Sequence, residues 1–113
     1  MAIAYNFRDM ALALPHATEQ DHFGAPSFRV NGKIFAQLSA DGAAGLVKLS
    51  LLTQEWALST YPDQCWSEPN WGRHGWTRLT WMALPSEVVG DWLAESWQAV
   101  TPRSLHGLLV DPG

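Results

Sequence analysis

The dipeptide Asn31-Gly32 constrains this chain more tightly than any other feature of its sequence. A two-residue type I′ turn needs positive φ at both central positions, and Asn-Gly adopts that shape at least cost. Strand-type apolar residues flank it: Phe28 and Val30 before the turn, Ile34, Phe35 and Leu38 after it. Ser27 to Leu38 therefore reads as a β-hairpin. A second turn at Asp41-Gly42 leads into Gly45–Ser50, so a three-stranded antiparallel meander is predicted.

Helical spacing brackets the meander. Phe7, Met10, Ala11 and Leu14 share one face of a helix, with Asn6 as N-cap, Asp9 in the first turn and Pro15 as the stop. Residues 15–26 (PHATEQDHFGAP) read as a connector punctuated by Gly24 and Pro26. Residues 53–61 read as a short helix with Thr53 as N-cap and Pro62 just beyond its end. Residues 65–68 form a short strand and 69–75 a loop. Residues 76–82 form a strand that sets Leu79 and Trp81 on one face and Trp76, Arg78 and Thr80 on the other. Pro85 opens a last helix, carried by Val88, Val89, Trp92, Leu93, Trp97 and Val100 and stopped by Thr101-Pro102. The order is α-βββ-α-ββ-α. It predicts an α+β fold, a mostly antiparallel sheet with helices packed on one face and the other face partly open.

With 113 residues, the chain is expected to form a single domain spanning residues 1–113. A domain this size buries roughly two thirds of its unfolded surface, enough for one core without staples. The lone Cys65 excludes an internal disulfide and makes a reducing cytoplasm the expected compartment. No apolar run approaches the ~18 residues that span a bilayer. The first residues lack a basic segment followed by an apolar one, so no signal peptide is expected. The tail, residues 108–113, is expected to be loosely ordered. Seven Lys+Arg against eleven Asp+Glu give a net charge of −4, which excludes a uniformly basic nucleic-acid binder. The charges are nevertheless unevenly placed. Arg29, Lys33, Lys48, Arg73 and Arg78 fall in or beside predicted β elements, while Asp9, Glu55, Glu87, Asp91 and Glu95 fall on predicted helices.

Two blocks resemble a known family. Ala13-Leu-Pro-His-Ala-Thr-Glu19, His22-Phe-Gly24 and Pro26-Ser-Phe-Arg-Val-Asn-Gly-Lys-Ile-Phe-Ala36 form the first. The second is a short helix, Pro62, Trp71-Gly-Arg-His-Gly-Trp76, and a proline-headed final helix with Ser96-Trp97. Together they resemble the MmcQ/YjbR family over about residues 7–100. The resemblance implies a small α+β domain in a secretion-chaperone-like arrangement. It also implies a DNA-binding label, resting on a double-winged shape in which β-hairpins contact a duplex. No enzymatic activity or cofactor is implied.

The candidate binding residues are Arg29, Lys33, Lys48, Trp71, Arg73, His74, Trp76 and Arg78. Gathered on one face, the bases would meet phosphates, and Trp71 or Trp76 would stack on an unpaired base. The alternative is a surface of ordinary solvated charges, and the 39–45 turn carries one acid and no base. Of seven tryptophans, Trp56, Trp81, Trp92 and Trp97 are expected in the core. Trp66, Trp71 and Trp76 lie in or beside a Gly/Pro-rich loop, where a binding patch competes with an aromatic cap on the sheet edge. Arg73-His74, together with Arg29 and His22, would line a groove for a small anionic or planar ligand. The open sheet face with the Trp66–Trp76 region would equally serve a protein partner or a small ligand. The four histidines and Cys65 lack the close pairs of a zinc site. Cys65 lacks the surroundings of a nucleophile, and no phosphate-binding or hydrolase motif occurs. The expectation is a non-enzymatic, monomeric binding module without metal or cofactor.

Overall fold

The computed structural model describes residues 6–109. Asn6 caps the first helix, its side-chain oxygen accepting from the Asp9 amide at 2.8 Å. Helix α1 (Phe7–Leu12) ends before Pro15. The segment read as a connector instead holds strand β1 (Thr18–His22), joined to β2 (Ala25–Val30) by the two-residue turn Phe23-Gly24. Its sequence, TEQDH, is polar throughout because this strand lies at the sheet edge, so no alternation announces it.

Strand β3 (Lys33–Leu38) leaves the Asn31-Gly32 turn, whose φ values are 52° and 77°. Then follow β4 (Gly45–Lys48), α2 (Leu51–Thr60), β5 (Cys65–Ser67), β6 (Trp76–Leu79) and α3 (Ser86–Val100). All six strands form one antiparallel sheet, ordered β1-β2-β3-β4-β6-β5. The architecture is thus the expected α+β sheet with helices on one face, enlarged by one strand. The predicted strand over 76–82 stops at Leu79. A 3-10 turn (Trp81–Ala83) follows, and the Trp81 indole donates to the Gly42 carbonyl at 2.8 Å.

The pairing of β2 with β3 slips between Phe28 and Arg29: Phe28 faces Ala36, whereas Arg29 faces Ile34. Phe35 is the extra residue of a bulge on β3, and both Phe35 and Ala36 are buried. Ser96 of α3 fills the resulting gap. Its hydroxyl donates to the Phe35 carbonyl and accepts from the Lys48 amide at 2.8 Å. Continuing the β3–β4 register would set Phe35 opposite Lys48, so the serine bridges two groups that the bulge keeps from pairing.

Phe7, Phe28, Phe35, Val47, Leu79, Leu93 and Trp97 fill the space between sheet and helices. Fully burying one such side chain contributes about 1.5–3 kcal/mol. Trp97 and Trp92 are core, as expected, and Trp81 is partly buried against the core. Trp56 is not core: it is 51% exposed, its ring edge-on to Tyr61 and Trp92. The buried side of α2 belongs to Gln54 and Ala57, and a residue two positions from Gln54 points away from it. The helix is capped by Ser50, not Thr53: the Ser50 hydroxyl accepts from the Thr53 amide at 3.1 Å. In the β3–β4 turn, the Ser39 hydroxyl and the Ala43 amide hold the Asp41 carboxyl below its usual range. Residues Arg103–Leu109 form a 3-10 helix, and the rest of the tail lies outside the described residues, as do residues 1–5. Among the described residues no helix is long and apolar enough to cross a membrane.

Replacing Ser96 by Ala strands the Phe35 carbonyl and the Lys48 amide. A loss of about 1–3 kcal/mol in urea unfolding is expected; an unchanged midpoint would show that the bulge stands without the hydroxyl.

Candidate functional site

The helices leave one face of the sheet uncovered. Strand alternation and register assign to it His22 of β1, Arg29 of β2, Ile34 and Gln37 of β3, Leu46 and Lys48 of β4, Trp76 and Arg78 of β6, and Trp66 of β5. The β3 bulge is what sets Ile34 and Gln37, three apart in sequence, on the same side. A cavity of about 380 Å³ crosses this face. Ile34, Gln37 and Leu46 make its floor, and Trp71, Trp76, His22 and the Arg78–Glu68 pair make its walls. Arg78 Nε donates to Glu68 Oε2 at 2.7 Å. On the far side Arg29 lies back along the face, its Nε donating to Ser27 Oγ at 3.3 Å and its terminal nitrogen 3.4 Å from His22 Nδ1.

The loop that carries Trp71 is held from beneath. Gln54 of α2 is buried, and its amide donates to the Gly72 carbonyl and to Thr77 Oγ1, each at 3.0 Å. A 3-10 turn (Gly72–His74) closes at Gly75, whose φ is 95°. A Cβ on Gly75 would lie 1.8 Å from the Leu49 carbonyl oxygen, and one on Gly72 would lie 1.7 Å from Ser67 Oγ. Both glycines are therefore required by close approach, and they leave Trp71 61% exposed above the cavity.

The predicted residues divide into two groups. Trp71, Trp76 and Arg78 share the cavity with His22, and Arg29 reaches it through His22. Arg73, His74 and Lys48 instead line a second concavity of about 590 Å³ with Ser50, Glu95 and Gln98. The Arg73–His74 pair thus does not join Arg29 and His22 in one groove, because the 3-10 turn directs it toward the end of α3. Lys33 is exposed beside the Asn31-Gly32 turn and lines neither space. Sequence reading missed Ile34, Gln37, Leu46 and Glu68; the bulge that aligns the first two has no sequence signature of its own.

The charge distribution is two-sided. Open-facing strand positions carry Arg29, Lys48 and Arg78 and no carboxylate; Glu68, just past β5, is ion-paired. Glu19 and Asp21 alternate to the helix side of β1, and Arg8 of α1 pairs with Glu19. Asp9, Glu55, Glu87, Asp91 and Glu95 all lie on helices. Among the described residues no group of three or more His, Cys, Asp and Glu stands close enough to hold a metal ion.

Cys65 is buried, and desolvation pushes its thiol up to about 11. The group stays protonated at neutral pH. Because its folded value is raised, the unfolded chain loses this proton first. Stability should therefore fall as pH climbs from about 9 toward about 11, and Cys65→Ser should remove that part of the slope. Gly75→Ala should cost about 2 kcal/mol or more in denaturant unfolding, since it adds both a left-handed backbone penalty and a clash.

The family model described as YjbR matches residues 12–99. The crystal structure of a Deinococcus radiodurans protein with a DUF419 domain superposes with a TM-score of 0.74 at 20% identity, covering 86% of this chain and 77% of that one. This second likeness shows the shared fold alone. No curated protein matches the chain. The family match covers most of the chain, and the chain belongs to the YjbR family.

Proposed function

We propose that this chain is a non-enzymatic binding module that takes a planar, anionic group on its open sheet face. The observation that carries the reading is Trp71, held exposed beside Trp76 over an apolar floor of Ile34 and Leu46. Ligand sites typically combine apolar and aromatic walls with a few convergent polar groups. Here the polar groups are Gln37, His22 and the terminal nitrogens of Arg78, whose Nε is already engaged by Glu68. Arg29 adds positive charge on the same face, so an anion is favoured over a cation. The module is read as cytoplasmic, monomeric and free of cofactor; the single buried thiol supports the compartment.

A fluorescent planar anion, anilinonaphthalene sulfonate, tests this directly. The wild type should bind it with a change in tryptophan emission, and Trp71→Ala should weaken binding about fivefold, the worth of one aromatic contact. Trp71 is exposed, so the melting temperature should hold. A silent wild type, or an unchanged Trp71→Ala, would overturn the reading.

DNA is the second reading, favoured by Arg29 and Arg78 on the open face together with Lys33 at the hairpin end. The structure lends itself to a single strand stacked on Trp71 more than to a duplex between wings, since the β3–β4 turn offers phosphate Asp41 and no base. Affinity for an oligothymidine should fall steeply between low and moderate salt. No binding at low salt would remove DNA as a partner.

A further inference from the structure

Two hairpins of this sheet turn through the same backbone shape with different residues. Asn31-Gly32 has φ values of 52° and 77°; Phe23-Gly24 has 54° and 86°. Each joins its strands by exactly these two residues. Asparagine tolerates the left-handed conformation, whereas a bulky side chain there is a genuine outlier. The first turn shows what local backbone chemistry selects, and the second departs from it. Packing does not account for the departure: Phe23 is 96% exposed, the most exposed large hydrophobic side chain among the described residues. Among the described residues its only aromatic neighbour is His22, edge-on with ring centroids 4.7 Å apart. His22 is the wall of the open-face cavity and the partner of Arg29. The turn is further fixed by Asp21, whose carboxylate accepts from the Gly24 amide at 3.3 Å. A strained backbone thus holds an apolar ring in water, against the His22 ring that lines the cavity shared with Trp71.

We propose that Phe23 is a contact residue of the open-face site, gripping a second planar group of the ligand just beyond His22. The inference rests on the reading of that face as a binding site and narrows the ligand class: an anion with two separated planar groups, one over Trp71 and Trp76 and one at Phe23. The strain persists because the ring serves binding, not folding.

The test compares anilinonaphthalene sulfonate with its two-unit form, bis-anilinonaphthalene sulfonate, on the wild type, Phe23→Asn, Phe23→Tyr and Trp71→Ala. Phe23→Asn recreates the Asn-Gly turn already present in the protein. It should melt at the same temperature or higher. It should bind the two-unit probe about two- to tenfold more weakly, the range of one aromatic contact. The one-unit probe should be unaffected, and Phe23→Tyr should bind as the wild type. If Phe23→Asn leaves the two-unit probe unchanged while Trp71→Ala weakens it, the role of Phe23 is overturned and the cavity stands. If Phe23→Asn melts lower, the ring supports the hairpin and the inference fails. If neither probe binds the wild type, the open-face reading falls and this inference with it.

Discussion

One hydroxyl group joins the two layers of this protein. The bulge at Phe35 turns two successive side chains, Phe35 and Ala36, into the core. It also breaks the ladder with β4, and Ser96 repairs the break from the middle of α3. A buried carbonyl and a buried amide without partners would each cost about 1–3 kcal/mol, so the sheet accepts its irregularity only with α3 seated on it. The helix position is fixed in turn. Trp97, next to Ser96, is fully buried and its indole donates to the Pro15 carbonyl at 2.9 Å, which ties the end of α1 to the same helix.

The same bulge prepares the other face. With the core side taking two consecutive residues, Ile34 and Gln37 both turn outward and make the cavity floor. The sheet therefore separates its residues by side: packing and most of the carboxylates on the helix side, aromatic rings and the cations Arg29 and Arg78 on the other. A net charge of −4 and a face whose strand positions carry cations and no carboxylate coexist because the charge is sorted by strand alternation and helix placement.

Much of this fold was legible in the sequence. Asn31-Gly32, the final helix and the alternation of Trp76, Arg78 and Leu79 each follow from one local rule applied to residues that obey it. The failures share a cause. Strand β1 has no apolar alternation, because an edge strand of polar residues owes its existence to pairing with β2 and not to burial of its own. Its turn is hidden behind a phenylalanine where an asparagine would have revealed it. Trp56 was expected inside because tryptophan usually is, yet α2 spends its buried side on Gln54, a polar anchor for the Trp71 loop. Half of the candidate site was legible as well. Trp71, Trp76 and Arg78 come together with His22, whereas Arg73, His74 and Lys48 part from them because the 3-10 turn between Gly72 and Gly75 redirects the loop.

Edge strands carry a hazard that β1 answers by its composition. Its outer rim offers the backbone donors and acceptors of alternate residues to any other extended chain, including a second copy of itself. Two such strands meeting head to tail about Gln20 would set Glu19 of one copy against Asp21 of the other, twice over. Like charges directly opposed across a new ladder are destabilising. The polarity that hides β1 from the reader of the sequence thus also serves as its guard against fibre-like self-association.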